Sequence, residues 1–194
     1  MGMMTRDEAL ALMHEYTPSD GLRKHMYAVE AAMRAYARKF GEDEEKWGVV
    51  GLLHDFDYER YPNDAHSATE EHPSFGVNLL RERGLPDDVC DAIMGHASYT
   101  GVPRESPMAK TLFAVDELCG FLTACVLVRP SKSFGDLKVK SVKKKLKYKG
   151  FARAVSREEV RQGPEEVDIP FDVHVQFVID SLHPVEQDLG LGAG

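Results

Sequence analysis

The stretch Leu52-Leu53-His54-Asp55-Phe56-Asp57-Tyr58-Glu59 decides how this chain is read. An apolar run leads straight into an imidazole and a carboxylate. Neighbours on a helix diverge by about 100°, so His54 and Asp55 can share an ion only at a helix end or across a junction. The pattern places them near such an end. A helix is predicted over about 43–56, with Trp47, Val50, Gly51 and His54 on its inner face. Gly51 lies one turn before His54 and lets a second helix approach closely.

Outward from this pair, four more donors stand on predicted elements. Towards the N-terminus, Leu22, Met26, Val29, Met33, Tyr36 and Phe40 recur at the helical period, with His25 beside that stripe and Gly41 closing the segment. Before it, residues 5–15 read as a short helix. Beyond a loop at 57–65, His72-Pro73 opens a helix with Phe75, Leu79 and Leu80 inward. Pro86 begins another, in which Val89, Ile93 and His96 share a face. After the loop 99–107, a long helix over 108–128 carries Asp116 among Leu112, Val115, Cys119 and Leu122. Past Pro130 come a turn at 131–135, a basic helix near 138–149 and short helices near 157–162 and 171–182. Gly190 to Gly194 is expected to be a mobile tail. No strand is predicted: the chain reads as all-α, with a core at 1–130 and a helical extension at 131–194.

Ionisable groups on core faces are costly unless something binds them. A lone Asp116 would lose hydration worth several kcal/mol or stay protonated. One or two metal ions explain the whole set. Neutral imidazoles and carboxylates without a thiolate suit divalent Fe, Mn, Co, Ni or Zn, and Mg as well, with little selection among them.

Composition narrows the class. With 194 residues, 43% apolar and 29% charged, the chain is that of an ordinary globular domain. It contains no apolar run long enough to span a membrane, and its start carries no apolar segment of a signal peptide. Cys90, Cys119 and Cys125 are odd in number and lack CxxC spacing, which fits reduced, buried thiols in a cytoplasm. The net charge of −8 argues against general nucleic-acid binding, although residues 138–153 hold eight basic residues and no acidic one.

The order His25, His54-Asp55, His72, His96, Asp116 resembles the HD-domain superfamily of metal-dependent phosphohydrolases. The likeness extends over about Leu22 to Val128, and His-Pro-Ser-Phe-Gly at 72–76 and Ile-Met-Gly-His-Ala at 93–97 strengthen it. It implies a five-helix core with ions at its centre. His25, His54, Asp55 and Asp116 would hold the first metal. Asp55 would bridge to a second, held also by His72 and His96. A metal-activated water would then attack phosphorus in a small phosphorylated substrate, a nucleotide or similar anion. Many members continue the HD pair with Ile-Gly-Lys, whereas Phe56-Asp57-Tyr58-Glu59 stands here. Asp57 and Glu59 are then the candidates for a hydrogen-bond acceptor or proton carrier beside Asp55. Ala97 follows His96 and the Gly-Tyr-Pro signature is absent, against a cyclic-dinucleotide phosphodiesterase. The chain is also similar to small stand-alone bacterial proteins described as predicted HD-superfamily hydrolases, through residues 52–59 and Ser141-Val142-Lys143-Lys144-Lys145.

Several residues keep two readings. His72 is either a ligand of a second ion or a helix cap. The lysines at 138–149 form a solvated face, or else Lys143, Lys144 and Lys145 fold back over the cleft to meet substrate phosphate, with Arg23 and Lys24 as rival contacts. His14, His66, His174 and His183 read as surface or loop, His66 being able to reach the cleft mouth. Two functions compete with hydrolysis: a mixed-valent di-iron oxygenase, which the same six ligands can serve, and a non-catalytic metal- or nucleotide-binding module. Oligomeric state is left open by the sequence.

Overall fold

The starts of most helices are written as caps. Thr5 and Glu8 form a capping box ahead of α1 (Arg6–Tyr16). Side-chain oxygens of Ser19, Asp43, Ser106 and Ser156 accept from backbone N–H groups at the heads of α2 (Asp20–Phe40), α3 (Glu44–Leu53), α6 (Pro107–Leu127) and α8 (Arg157–Glu166). The remaining helices are α4 (Ser74–Glu82), α5 (Asp87–His96), α7 (Val139–Leu146) and α9 (Phe171–Leu182). The computed structural model describes residues 2–192, and among these there is no strand. Among the described residues no helix is long and apolar enough to cross a membrane.

Helix α3 is the axis of the core. From Trp47 to Leu53 every residue is buried, as expected of a helix apolar on all sides. It crosses α2 at the glycine that the sequence singled out: a Cβ on Gly51 would stand 2.8 Å from the Glu30 Cα. Helix α6 packs on α2 and α5 through Leu112, Val115, Cys119 and Leu122, all fully buried. The three cysteines are buried free thiols.

Boundaries moved by three residues or more in three places, one being the basic helix, which ends at Leu146 and not at 149. The third helix stops at Leu53, three residues before the predicted end, so His54 and Asp55 stand at its C-terminus. The eighth continues through Pro164 to Glu166. Pro164 forfeits a ladder hydrogen bond, but it and Gly163 are buried against α6, where a Cβ on Gly163 would meet Ala114 Cα at 2.7 Å.

The residues after 130 pack onto this core. The structure corrects the reading of His174 as a surface residue: it is fully buried. Its Nε2 donates to the Ala114 carbonyl at 2.9 Å, so its Nδ1 accepts from the Tyr36 hydroxyl at 2.6 Å. With both nitrogens satisfied, the ring packs as a neutral group, and burial lowers its pKa. The tail expected to be mobile is held as far as it is described. Leu189 and Leu191 are buried, and the Gly192 N–H donates to the Lys132 carbonyl at 2.7 Å. Residues 193 and 194 lie outside the described residues.

Candidate metal centre

The end of α3 builds the centre. The last carbonyls of a helix lack intrahelical partners, and His54 Nδ1 donates to one of them, Gly51 O, at 2.8 Å. This turns His54 Nε2 inward, where it is fully buried with no hydrogen-bond partner. Thr17 Oγ1 donates to the Phe56 carbonyl and secures the turn that follows. His96, the last residue of α5, repeats the His54 device by donating from Nδ1 to Ile93 O at 2.5 Å. His72 donates from Nδ1 to Asp57 Oδ1 at 2.8 Å. Three imidazoles are thus fixed in tautomer and direction, with Nε2 presented to one place.

Asp55 stands between two groups of donors. Its Oδ1 lies 3.3 Å from both His72 Nε2 and His96 Nε2. Its Oδ2 lies 3.5 Å from His54 Nε2 and 3.9 Å from His25 Nε2. Asp116 Oδ1 completes the latter group, 2.9 Å from His25 Nε2 and 3.4 Å from His54 Nε2. Donors about 2.1 Å from an ion stand about 3.0–3.4 Å apart in octahedral or tetrahedral arrangement; the spacings within each group cluster near this range, with His25 to Asp55 wider at 3.9 Å. The unpartnered His54 Nε2 is the atom that such a cation would take up. His25, His54, Asp55 and Asp116 form one possible cation set, and Asp55, His72 and His96 the other.

The electrostatics agree. Burial opposes charge on His54, but the Asp55 and Asp116 carboxylates outweigh it and raise its pKa well above the usual imidazole range. His96 is raised too, by Asp55 against its burial. Despite burial, His54 and its neighbours hold Asp55 and Asp116 well below the usual carboxylate range. Without a cation, protons on His54 and His96 balance the carboxylates; an entering metal must displace them. Because the histidine values are raised, those protons are held at neutral pH and leave as pH rises. Metal affinity is therefore expected to increase with pH through the neutral range. Calorimetry in buffers of different ionisation enthalpy checks this by the protons released; binding without proton release would contradict it.

The centre opens into a cavity of about 840 Å³. His66 and Tyr99 stack beside it, 4.7 Å apart and 8° from parallel, so His66 does reach the mouth. Its far wall comes from Gly120 and residues 154–156, with Glu117 and Glu159. Glu117 accepts from the Ser156 N–H at 2.7 Å, and burial and Asp116 push its carboxyl up to about 7. Burial and Asp116 also raise Glu159.

The other candidates divide. Asp57 is buried, and its second oxygen accepts from the Gly76 N–H at 2.7 Å. A Cβ on Gly76 would stand 2.8 Å from the Asp57 Cγ, so glycine lets the two approach. Asp57 does not line the cavity; it holds His72. Asp57→Ala should weaken metal binding at the His72–His96 group about 10- to 100-fold. Titration with Mn should show that loss while the His25–His54 group keeps its affinity. Glu59 is exposed and accepts from the Ser19 N–H at 3.1 Å, away from the cavity. The structure thus does not bring Glu59 to the metal centre.

The five basic candidates also lie elsewhere. Arg23 donates to the Thr17 and His14 carbonyls, and Lys24 pairs with Asp20 at 2.6 Å. Val142 and Leu146, four residues apart, bury one face of α7 and turn its lysines outward. Lys143 meets Asp172 at 2.9 Å, Lys144 is exposed, and Lys145 lies over the Phe151 ring. No lysine or arginine lines the cavity. Conversely, Tyr99, Glu117 and Glu159 were not singled out from the sequence. Adjacency to Asp116 could have drawn attention to Glu117; nothing local marks Glu159.

The HD domain family model matches residues 22–119, half of the chain and the segment that holds all six donors. The chain matches no curated protein and no solved structure. With the matched segment, the helical core and the two donor groups in agreement, the chain belongs to the HD domain family, a superfamily of metal-dependent hydrolases.

Proposed function

We propose that this protein is a binuclear metal-dependent phosphohydrolase acting on a phosphate ester of a small metabolite. The observation that carries the reading is Asp55, whose two oxygens serve two different imidazole groups. Two divalent cations bound there would supply Lewis acidity, lower the pKa of water and offset phosphoryl charge. The chain's own part is to hold the donors ready. His54 and His96 are pinned by backbone carbonyls and His72 by Asp57, so little reorganisation is needed on loading. The cavity is of the size that encloses a metabolite.

The test is metal analysis of the purified protein, followed by phosphate release from p-nitrophenyl phosphate and a panel of small phosphate esters and nucleotides with Mn or Co. Turnover dependent on metal supports the reading. A loaded protein that releases phosphate from none of them overturns it. Substrate-dependent O₂ uptake with a mixed-valent di-iron resonance would put oxygenation in its place.

A further inference from the structure

We propose that the substrate carries a cationic nitrogen, an ammonium or amidinium group, close to its phosphate, and that Glu159 with Glu117 receives it. This rests on the phosphohydrolase reading and names the class of ester. Five carboxylates line the cavity, Asp55, Asp64, Asp116, Glu117 and Glu159, and no lysine or arginine does. Two divalent ions offset four charges, and with Asp64 exposed at the rim the site keeps no positive excess to meet a phosphate. A phosphate dianion makes it net negative, and a polyphosphate deepens that charge. In a partly closed cavity such repulsion is weakly screened. A neighbouring positive charge on the substrate removes the penalty, so the same carboxylates select for it and against polyanions.

The geometry points the same way. The floor of the cavity is formed by His25, Asp55, His72, His96 and Asp116, and cations held by these donors would receive the phosphoryl group there. Glu117 comes from α6, one residue after Asp116, and is held in place by the Ser156 N–H. Glu159 comes from α8 and meets only Ser98 Oγ, at 3.5 Å. That contact is too long to satisfy a carboxylate, so its acceptor capacity is available to a ligand. An ammonium bound there makes charge-assisted hydrogen bonds, stronger than neutral ones.

Two esters of matched size test this: O-phosphoethanolamine and 2-hydroxyethyl phosphate, differing in an ammonium against a hydroxyl. With Mn-loaded protein, kcat/KM for the ammonium ester should exceed that for the hydroxyl ester about tenfold or more, and calorimetry should rank their binding alike. Glu159→Gln, close in shape to the native residue, should bring the ratio near one, mainly through KM, without loss of metal content. A ratio near one or below in the native protein overturns the proposal. So does a high ratio that survives both Glu159→Gln and Glu117→Gln. If metal is bound but neither ester nor p-nitrophenyl phosphate is hydrolysed, the phosphohydrolase reading falls alone. The calorimetric ranking then still decides the inference: tighter binding of the ammonium ester upholds it, and equal or weaker binding rejects it.

Discussion

Asp55→Asn is expected to fold and to lose both bound metal and activity, the latter about 10³-fold or more. Each Asp55 oxygen faces its own group of imidazoles. An amide keeps one acceptor and turns an NH₂ towards the other group, where a lone pair is wanted. The bridging charge disappears as well. A 10³-fold loss is about 4 kcal/mol of transition-state stabilisation, reasonable when a shared ligand is removed from both sites. The check is metal content by elemental analysis beside phosphate release, with circular dichroism to establish folding. A folded variant that retains two equivalents of metal and native turnover would show that Asp55 is not the bridge.

Gly51→Val should destabilise the fold by about 3 kcal/mol. The first added carbon would stand 2.8 Å from both Cα and N of Glu30. These are backbone atoms inside α2, unable to swing away as a side-chain tip could. The two helices must therefore part, opening a contact between two buried faces, Trp47 to Leu53 on α3 and Val29, Glu30 and Met33 among those on α2. In a domain of this size, 3 kcal/mol corresponds to a fall in Tm of about 6–12 °C. His54 lies one turn further along, and its Nδ1 is tied to the Gly51 carbonyl, so metal affinity should fall as well. Gly21→Ala provides the control: nothing lies within 4 Å of a Cβ there, and replacing a helical glycine should cost nothing or add a few tenths of a kcal/mol. Thermal melts of both variants decide the matter. A Gly51→Val melt equal to the native one would mean that α2 and α3 do not meet as described.

The core was legible because its signals are local. Apolar residues at the helical period mark α2 and α6, and a side-chain oxygen before each run marks its start. A donor on a buried face is anomalous wherever the rest of the chain lies, which is why His25, His54 and Asp116 could be picked out before their partners were known. Gly51 was legible for the same reason, as a missing side chain on an otherwise bulky inner face.

The amphipathic pattern of α7 was equally visible, yet it could not say what lay beyond its lysines. Val142 and Leu146 settle that helix on its apolar side, and the charge faces solvent, away from the cleft. His174 shows the same limit: an isolated imidazole has no periodic signature, and its two partners are contributed by Tyr36 on α2 and Ala114 on α6.

By itself the sequence determined an all-helical domain, its helix starts, and a set of nitrogen and oxygen donors too costly to bury without a cation. The sharing of Asp55 between two donor groups came from the family resemblance; only the tertiary structure decided that Asp57 serves His72 and that the cavity above them is acidic. Periodicity and capping act over a few residues along the chain. A cavity wall is assembled from segments such as Ser98 and Glu159, 61 residues apart, whose approach leaves no trace in the local pattern of either.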